Sequence, residues 1–163
     1  MAFADELAGL NEPGRASLEY AGRPELVETG AWNDAFTRSL ATDRARGITT
    51  IGPHRDDVVL AIDGQPLRVY GSTGQLRSAA IALKLLELGT LRERRGMEPA
   101  LLLDDVFAEL DGERQRRLAT RLMRDGQRQL FVTAPRSDEL PGQLELPRWE
   151  MNGGRATPGR DSA

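Results

Sequence analysis

Short unbroken apolar runs alternate along this chain with stretches whose apolar residues recur at helical intervals, and that alternation predicts an α/β protein. Trp32, Ala35, Phe36, Ser39/Leu40 and Ala45 follow helical spacing and Gly47 supplies a stop, so an amphipathic helix is expected from Trp32 to about Arg46. Val58 to Ile62 and Leu67 to Tyr70 read as strands around Asp63-Gly64-Gln65-Pro66, a hairpin signal because Asp-Gly tolerates positive φ. The second run leads into Gly71, after which Ser72 caps a predicted helix from about Gln75 to Arg94. That helix has Ala79, Ala80, Leu83, Leu86 and Leu91 among its apolar positions, basic residues in its last turn and Gly96 beyond it. Pro99 then precedes Ala100 to Leu103, a run too short for a helix and suited to a strand buried on both faces.

Asp111 reads as the cap of another helix, Glu113 to about Arg124, which Gly126 ends, and Gln129 to Thr133 is the next buried strand. Strand, helix and strand in that order imply a right-handed crossover in a mostly parallel sheet. Residues 1–30, with Pro13 and Pro24, carry little regular signal beyond a strand candidate at Ser17 to Tyr20, and read as the tail of a unit that begins upstream. Arg148 to Met151 with an Asn152-Gly153 turn predicts one edge strand before a disordered Gly/Pro/Arg tail over 152–163.

Composition narrows the chemistry. At 163 residues the chain fits one domain, and 39% hydrophobic with 29% charged residues describes a globular protein. Without cysteine there is no disulfide framework or thiolate metal site, and a single histidine, His54, excludes a histidine cluster. The net charge of -3 argues against a strongly basic nucleic-acid module, and the arginine bias among basic residues reads as compositional. No basic leader followed by an apolar run is present and no stretch has membrane-spanning length, so no membrane association is expected and the cytoplasm is the expected compartment.

Two segments carry the candidate chemistry. In Gly71-Ser72-Thr73-Gly74-Gln75-Leu76-Arg77 a serine hydroxyl, an unhindered glycine amide and a helix N-terminus converge on one anion position. In Leu101-Leu102-Leu103-Asp104-Asp105 a strand ends in two carboxylates at the carboxyl edge of a sheet, where open α/β folds bind ligands. Asp104 suits a magnesium ion, through water, and Asp105 suits orienting or deprotonating an attacking water. Alone, Asp-Asp also fits a turn cap beside a solvated acid, and Ser-Thr-Gly-Gln also fits a simple helix cap; their succession one helix apart favours phosphate chemistry. The phosphate-wrapping loop G-x-x-x-x-G-K-[ST] is missing, for the only lysine, Lys84, lies between Leu83 and Leu85 in an apolar helix.

Gly-Ser-Thr-Gly-Gln-x-Arg, a long helix, Leu-Leu-Leu-Asp-Asp-Val-x-x-Glu-Leu-Asp, a helix and Gln-Leu-Phe-Val-Thr together resemble the C-terminal half of an ABC-type ATPase head. Gly52-Pro53-His54-Arg55-Asp56-Asp57 narrows the resemblance to the RecF family, over roughly residues 16–151. The resemblance implies an incomplete P-loop ATPase head of the RecF/SMC kind, a mostly parallel sheet with flanking helices plus a small helical and hairpin lobe. Residues 1–48 would then be the end of the helical lobe or arm, and 49–151 the C-terminal part of the head.

In such heads two protomers sandwich ATP head to tail. Ser72, Thr73, Gly74 and Gln75 would meet the γ-phosphate of a nucleotide held by the other protomer's P-loop, while Asp104 and Asp105 would serve the nucleotide and Mg2+ of their own head. Asp111 would lie at the dimer interface, and Thr133 occupies the strand end where many ABC ATPases place a switch histidine. The resemblance further implies binding of single-stranded, gapped and duplex DNA, loading of recombination proteins at gaps, and RecR and RecO as partners, with hydrolysis dependent on the missing P-loop half.

Other residues stay open. His54 could pack within its turn or meet DNA, Arg55 could be an exposed ion pair, and Arg77 could reach phosphate or brace its helix. Arg114, Arg116, Arg117, Arg121 and Arg124 give one helix a basic side, which fits a solvated face or duplex contact. The competing functions are a non-catalytic module that only dimerises through its Ser72 face, another DNA-processing ABC ATPase, and a magnesium-dependent phosphohydrolase using Asp104 and Asp105 alone.

Overall fold

A computed structural model describes residues 2–23, 26, 28–124 and 129–159. Pro24 and Gly126, and the tail over 160–163, lie outside the described residues.

The chain opens with a helix that the sequence reading leaves as irregular, α1 (Ala2–Gly9). Phe3, Leu7 and Leu10 sit at helical intervals, are 4%, 1% and 2% exposed, and join the core against the long helix α4 (Thr73–Arg95). Burying side chains of this size contributes about 1.5–3 kcal/mol each, enough to recruit a short helix that would be marginal alone. β1 (Ala16–Ala21) pairs antiparallel with β2 (Asp57–Ile62), Ala16 opposite Ile62 and Ala21 opposite Asp57. Between them runs α2 (Thr29–Arg46), ended by Gly47 at φ +66°, whose amide donates to the Asp43 carbonyl. Only Ala35 and Ser39 of α2 are buried.

The Asp63-Gly64 turn has both residues at positive φ, +50° and +76°, as a tight hairpin needs. Its return strand β3 is only Gln65–Pro66, and Leu67–Tyr70 turns into one helical turn, α3, where the sequence predicts a strand. Proline cannot donate to a ladder, and Leu67, 3% exposed, draws the chain back into the core. α4 follows, with Ser78, Ala79, Ile81, Ala82, Leu85 and Leu88 as its buried face, and ends at Gly96, φ +64°.

β4 (Leu101–Asp104), α5 (Gly112–Met123) and β5 (Leu130–Thr133) form the strand-helix-strand unit, with β4 and β5 parallel in the register Leu101 to Leu130 through Asp104 to Thr133. This is the parallel part of the architecture; the other two described sheets, β1-β2-β3 and the β6-β7 pair below, are antiparallel. Leu118 and Ala119 of α5 are fully buried beside Phe107 and Leu110.

β4 was expected to be buried on both faces, yet Leu101 and Leu103 turn inward while Leu102 is 73% exposed. Its partner across the pair, Phe131, is 60% exposed. One face of the parallel pair is therefore packed and the other bare, because nothing in the described chain covers it. At the end, β6 (Trp149–Asn152) and β7 (Arg155–Pro158) make a hairpin around Gly153 and Gly154, so residues 152–158 are ordered strand and turn rather than the expected disordered tail. Backbone pairing across a Gly-Gly turn suffices there, although every residue of both strands is exposed.

Candidate nucleotide-facing site

The alternation of a strand places Leu102 and Asp104 on one face of β4, and Phe131 and Thr133 on the same face of β5. Asp104 therefore stands on the bare face, at the carboxyl end of the parallel pair. The Thr133 hydroxyl donates to the Asp104 carboxylate. Asp105 turns out of the strand at φ +49°, a left-handed conformation that aspartate tolerates better than most residues, and its amide donates to the Thr133 carbonyl at 3.2 Å. The same amide also reaches Thr133 Oγ1 at 3.4 Å, so Thr133 orients Asp104 through its hydroxyl and Asp105 through both its carbonyl and its hydroxyl.

The turn from Gly71 to Gln75 is built as a reciprocal cap. The Gln75 amide donates to Ser72 Oγ at 3.2 Å, and the Ser72 amide donates to Gln75 Oε1 at 3.0 Å. Thr73 and Gly74 come before the first possible intrahelical acceptor, so their amides point out of the helix N-terminus. Gly74 has no positive φ, and a Cβ there would meet only the Glu109 carbonyl at 3.6 Å, Arg114 Nη1 at 3.8 Å and Ser72 Oγ at 4.0 Å. Nothing among the described residues requires glycine at this position.

Residues 105–111 join the two elements. Arg77 Nη1 donates to the Ala108 carbonyl at 2.6 Å and Gln115 Nε2 to the Phe107 carbonyl at 3.0 Å, so Arg77 braces the loop rather than facing outward. Glu109 is also left-handed, φ +62°. Asp111 caps α5, accepting from the amides of Glu113 at 3.1 Å and Arg114 at 2.9 Å, and its other oxygen accepts from Arg114 Nη1 at 2.6 Å. The Arg114 amide foremost, then the Arg114 charge and the Glu113 amide, hold the Asp111 carboxyl below its ordinary range.

His54 and Arg55 occupy a separate, 3-10 turn, Pro53–Arg55. His54 Nε2 lies 3.3 Å from the Thr49 carbonyl, to which Arg55 Nε donates at 2.8 Å. Thr50 is pinned by Asp43, and Asp43 in turn is held below the usual carboxylate range by the Thr50 hydroxyl above all. Gly52 is needed here: its φ is +146° and a Cβ would fall 2.7 Å from the His54 ring. These contacts support the packing role for His54.

The arginine side of α5 is internally compensated. Arg116 and Arg117 pair with Glu113, Arg121 with Glu6, and Arg114 with Asp111 and Glu12. The exposed pairs with Glu113 contribute little stability, whereas the Glu12 side chain is buried; together the pairs break up the contiguous positive surface that duplex contact needs.

Among the described residues no group of three or more acids, histidines or cysteines could hold a metal ion by itself. That donor set fits magnesium carried mainly by phosphates and supplemented by one or two carboxylates, and does not fit a protein-only metal cage. A hollow of about 450 Å3 between α1, α4 and α5 is lined by Glu6, Leu10, Arg92, Arg121 and Arg124 among others; it includes two arginines of the basic side but none of the residues of the candidate phosphate and metal site. The lone lysine, Lys84, pairs with Glu87 at 2.7 Å on α4. Sequence reasoning missed Glu12 and Gln115, and treated Arg114 only as part of a basic side; the position of Arg114 three residues after a capping aspartate was the available signal.

No family model matches the chain. It is 41% identical over 144 residues to the DNA replication and repair protein RecF of Roseiflexus castenholzii, covering 85% of this chain and 36% of that protein. It is also 42% identical over 125 residues to RecF of Bacillus subtilis, covering 76% of this chain and 33% of that protein. The chain therefore spans about a third of the length of the curated relatives it matches. Among solved structures, the recombination mediator protein RecF-ATP matches with a TM-score of 0.66 and 33% identity over 96% of this chain and 42% of that one. A structure from work on ATP-driven dimerization and DNA stimulated activation of SMC ATPases matches with a TM-score of 0.53 at 16% identity, covering 97% of this chain and 80% of that one, which supports the fold alone.

Proposed function

From the premise that this is a RecF-type chain spanning about a third of a RecF protein, we propose that it supplies the signature and magnesium-carboxylate part of an ATPase head. The observation that carries the reading is the pairing of Asp104 with Thr133 at the open carboxyl edge, directly above the bare Leu102–Phe131 face, in a chain whose only lysine is tied to Glu87. An acid poised for metal and phosphate stands beside apolar surface that needs a cover. The P-loop-bearing part of the head meets both needs, so its docking would assemble the nucleotide site and bury the face.

Bound Mg-ATP would supply the electrophilic phosphoryl group and the charge that needs neutralising. Asp104 would hold the metal through water, and Asp105 would orient or deprotonate the attacking water, both steadied by Thr133. Ser72 Oγ accepts from Gln75 and still has its proton to donate, so with the outward Thr73 and Gly74 amides it would bind the γ-phosphate of a second protomer's nucleotide. Asp111, next to that turn through Arg114, would meet the partner head and link the two sites.

Binding of gapped and duplex DNA, support of recombinase loading at gaps, partnership with RecR and RecO, and a cytoplasmic location complete the reading for the whole protein. The RecF relatives are named for DNA replication and repair, and no described helix is long and apolar enough to cross a membrane. The test is ATP turnover by this chain mixed with a separately produced P-loop-bearing segment of a RecF relative. Turnover only in the mixture, lost in Asp105→Asn, supports the proposal. A stable complex without turnover instead identifies a non-catalytic dimerisation module, and hydrolysis of phosphodiesters without ATP would point to a phosphohydrolase.

A further inference from the structure

We propose that Arg114 is a positioning residue that couples the buried carboxylate of Glu12, in the turn after α1, to Asp111 and the start of α4. The Glu12 side chain is 1% exposed, and a carboxylate so far from water needs a cation beside it. Arg114 Nη2 lies 2.9 Å from Glu12 Oε2 without the alignment of a hydrogen bond, and among the described residues neither Glu12 oxygen nor Arg114 Nε has a hydrogen-bond partner. The other arm of the guanidinium, Nη1, makes the 2.6 Å bond to Asp111 and approaches Gly74. Two acids therefore place one planar fork, which a lysine's single point charge cannot reproduce.

The consequence is that the orientation of Asp111 is set in part by a residue about a hundred positions earlier that does not touch it. Its functional meaning rests on the proposed head: engagement of Asp111 by a second protomer would be felt at the α1 turn through Arg114. The coupling itself needs neither nucleotide nor partner, so it can be measured separately.

The experiment is amide hydrogen exchange by NMR on the 163-residue chain and its Glu12→Gln, Arg114→Lys and double variants. In Glu12→Gln the Glu113 and Arg114 amides, which donate to Asp111, are expected to exchange about fivefold faster, the factor that one capping interaction is worth. The β6–β7 hairpin amides should not change, and Glu12→Gln should add nothing in the Arg114→Lys background. Unchanged or slower exchange of those two amides, uniform acceleration throughout the chain, or an equal effect in the Arg114→Lys background would each overturn the coupling. If Glu12→Gln fails to fold, Glu12→Asp, which withdraws the carboxylate by one methylene, is read against the same outcomes. Failure of the ATP turnover test with this coupling intact would discard the proposed function alone.

Discussion

Asp104 and Thr133 face each other across the parallel strands β4 and β5, and the threonine hydroxyl donates to the aspartate carboxylate while its carbonyl receives the amide of Asp105. The hydroxyl also accepts from the Asp105 amide at 3.4 Å, so one residue orients two neighbouring acids. Thr133→Val keeps the shape and the carbonyl and removes only the hydroxyl. Because the bond is exposed, thermal unfolding should shift by less than about 1 kcal/mol. Turnover of the mixed ATPase should fall by about tenfold or more, as when a group that orients a metal-facing acid is lost, and a kcat measurement beside the melting curve checks both.

Gly74 distinguishes a demand made inside the chain from one made outside it. A Cβ would meet only ordinary contacts among the described residues, and alanine costs less backbone entropy than glycine in a helix, an advantage of about 0.5–1 kcal/mol in a helix interior and smaller in the first turn. Gly74→Ala should therefore leave the melting temperature unchanged or slightly raised, while weakening ATP-dependent association of two heads. Sedimentation with and without ATP reads the second effect, and unaltered association would remove Gly74 from the proposed phosphate site.

The Leu102–Phe131 face yields a prediction of opposite signs. Leu102 is so exposed that Leu102→Lys should change the stability of the chain by no more than about 0.5 kcal/mol, and should improve its solubility. The same change should abolish co-elution with the P-loop-bearing segment on size exclusion. Retained co-elution would move the docking surface elsewhere.

Asp111 and Asp43 make stability depend on acid. Both carboxyls are held below their ordinary value in the folded chain, Asp111 foremost by the Arg114 amide and Asp43 foremost by the Thr50 hydroxyl. A lowered folded value means stabilisation that is fully present above the ordinary carboxylate range and lost as pH falls from about 4 through the lower folded values. Melting temperature should drop on that acid limb. Asp111→Asn still caps α5 but no longer titrates, so its acid limb should be shallower; an unchanged slope would show that Asp111 contributes no pH dependence.

Much of the candidate site was legible in local chemistry. Ser72 and Gln75 form a cap because their side chains reach only their own turn, Asp111 caps α5 for the same reason, and Asp63-Gly64 closes a hairpin by backbone preference. The spacing of Phe3, Leu7 and Leu10 also carries α1, but the glycines and prolines nearby obscure that signal. By contrast, Leu67–Tyr70 carries an apolar run that suits a strand, and becomes helical because Pro66 ends the ladder and Leu67 is pulled into the core.

What short-range preference could not decide is which groups from distant parts of the chain share a space. The Asp104–Thr133 pair joins residues 29 positions apart, and Arg114 stands between Glu12 and Asp111 only once α1 has docked on α4. An apolar run such as Leu101 to Leu103 states that burial is favourable, whereas whether both faces are buried depends on what packs there. Sequence therefore determined the caps, the turns and which chemical groups stand at the candidate site, because those arise within a few residues. Tertiary structure decided the bare Leu102–Phe131 face and the Glu12–Arg114–Asp111 link, because both depend on the surfaces that distant segments present to one another.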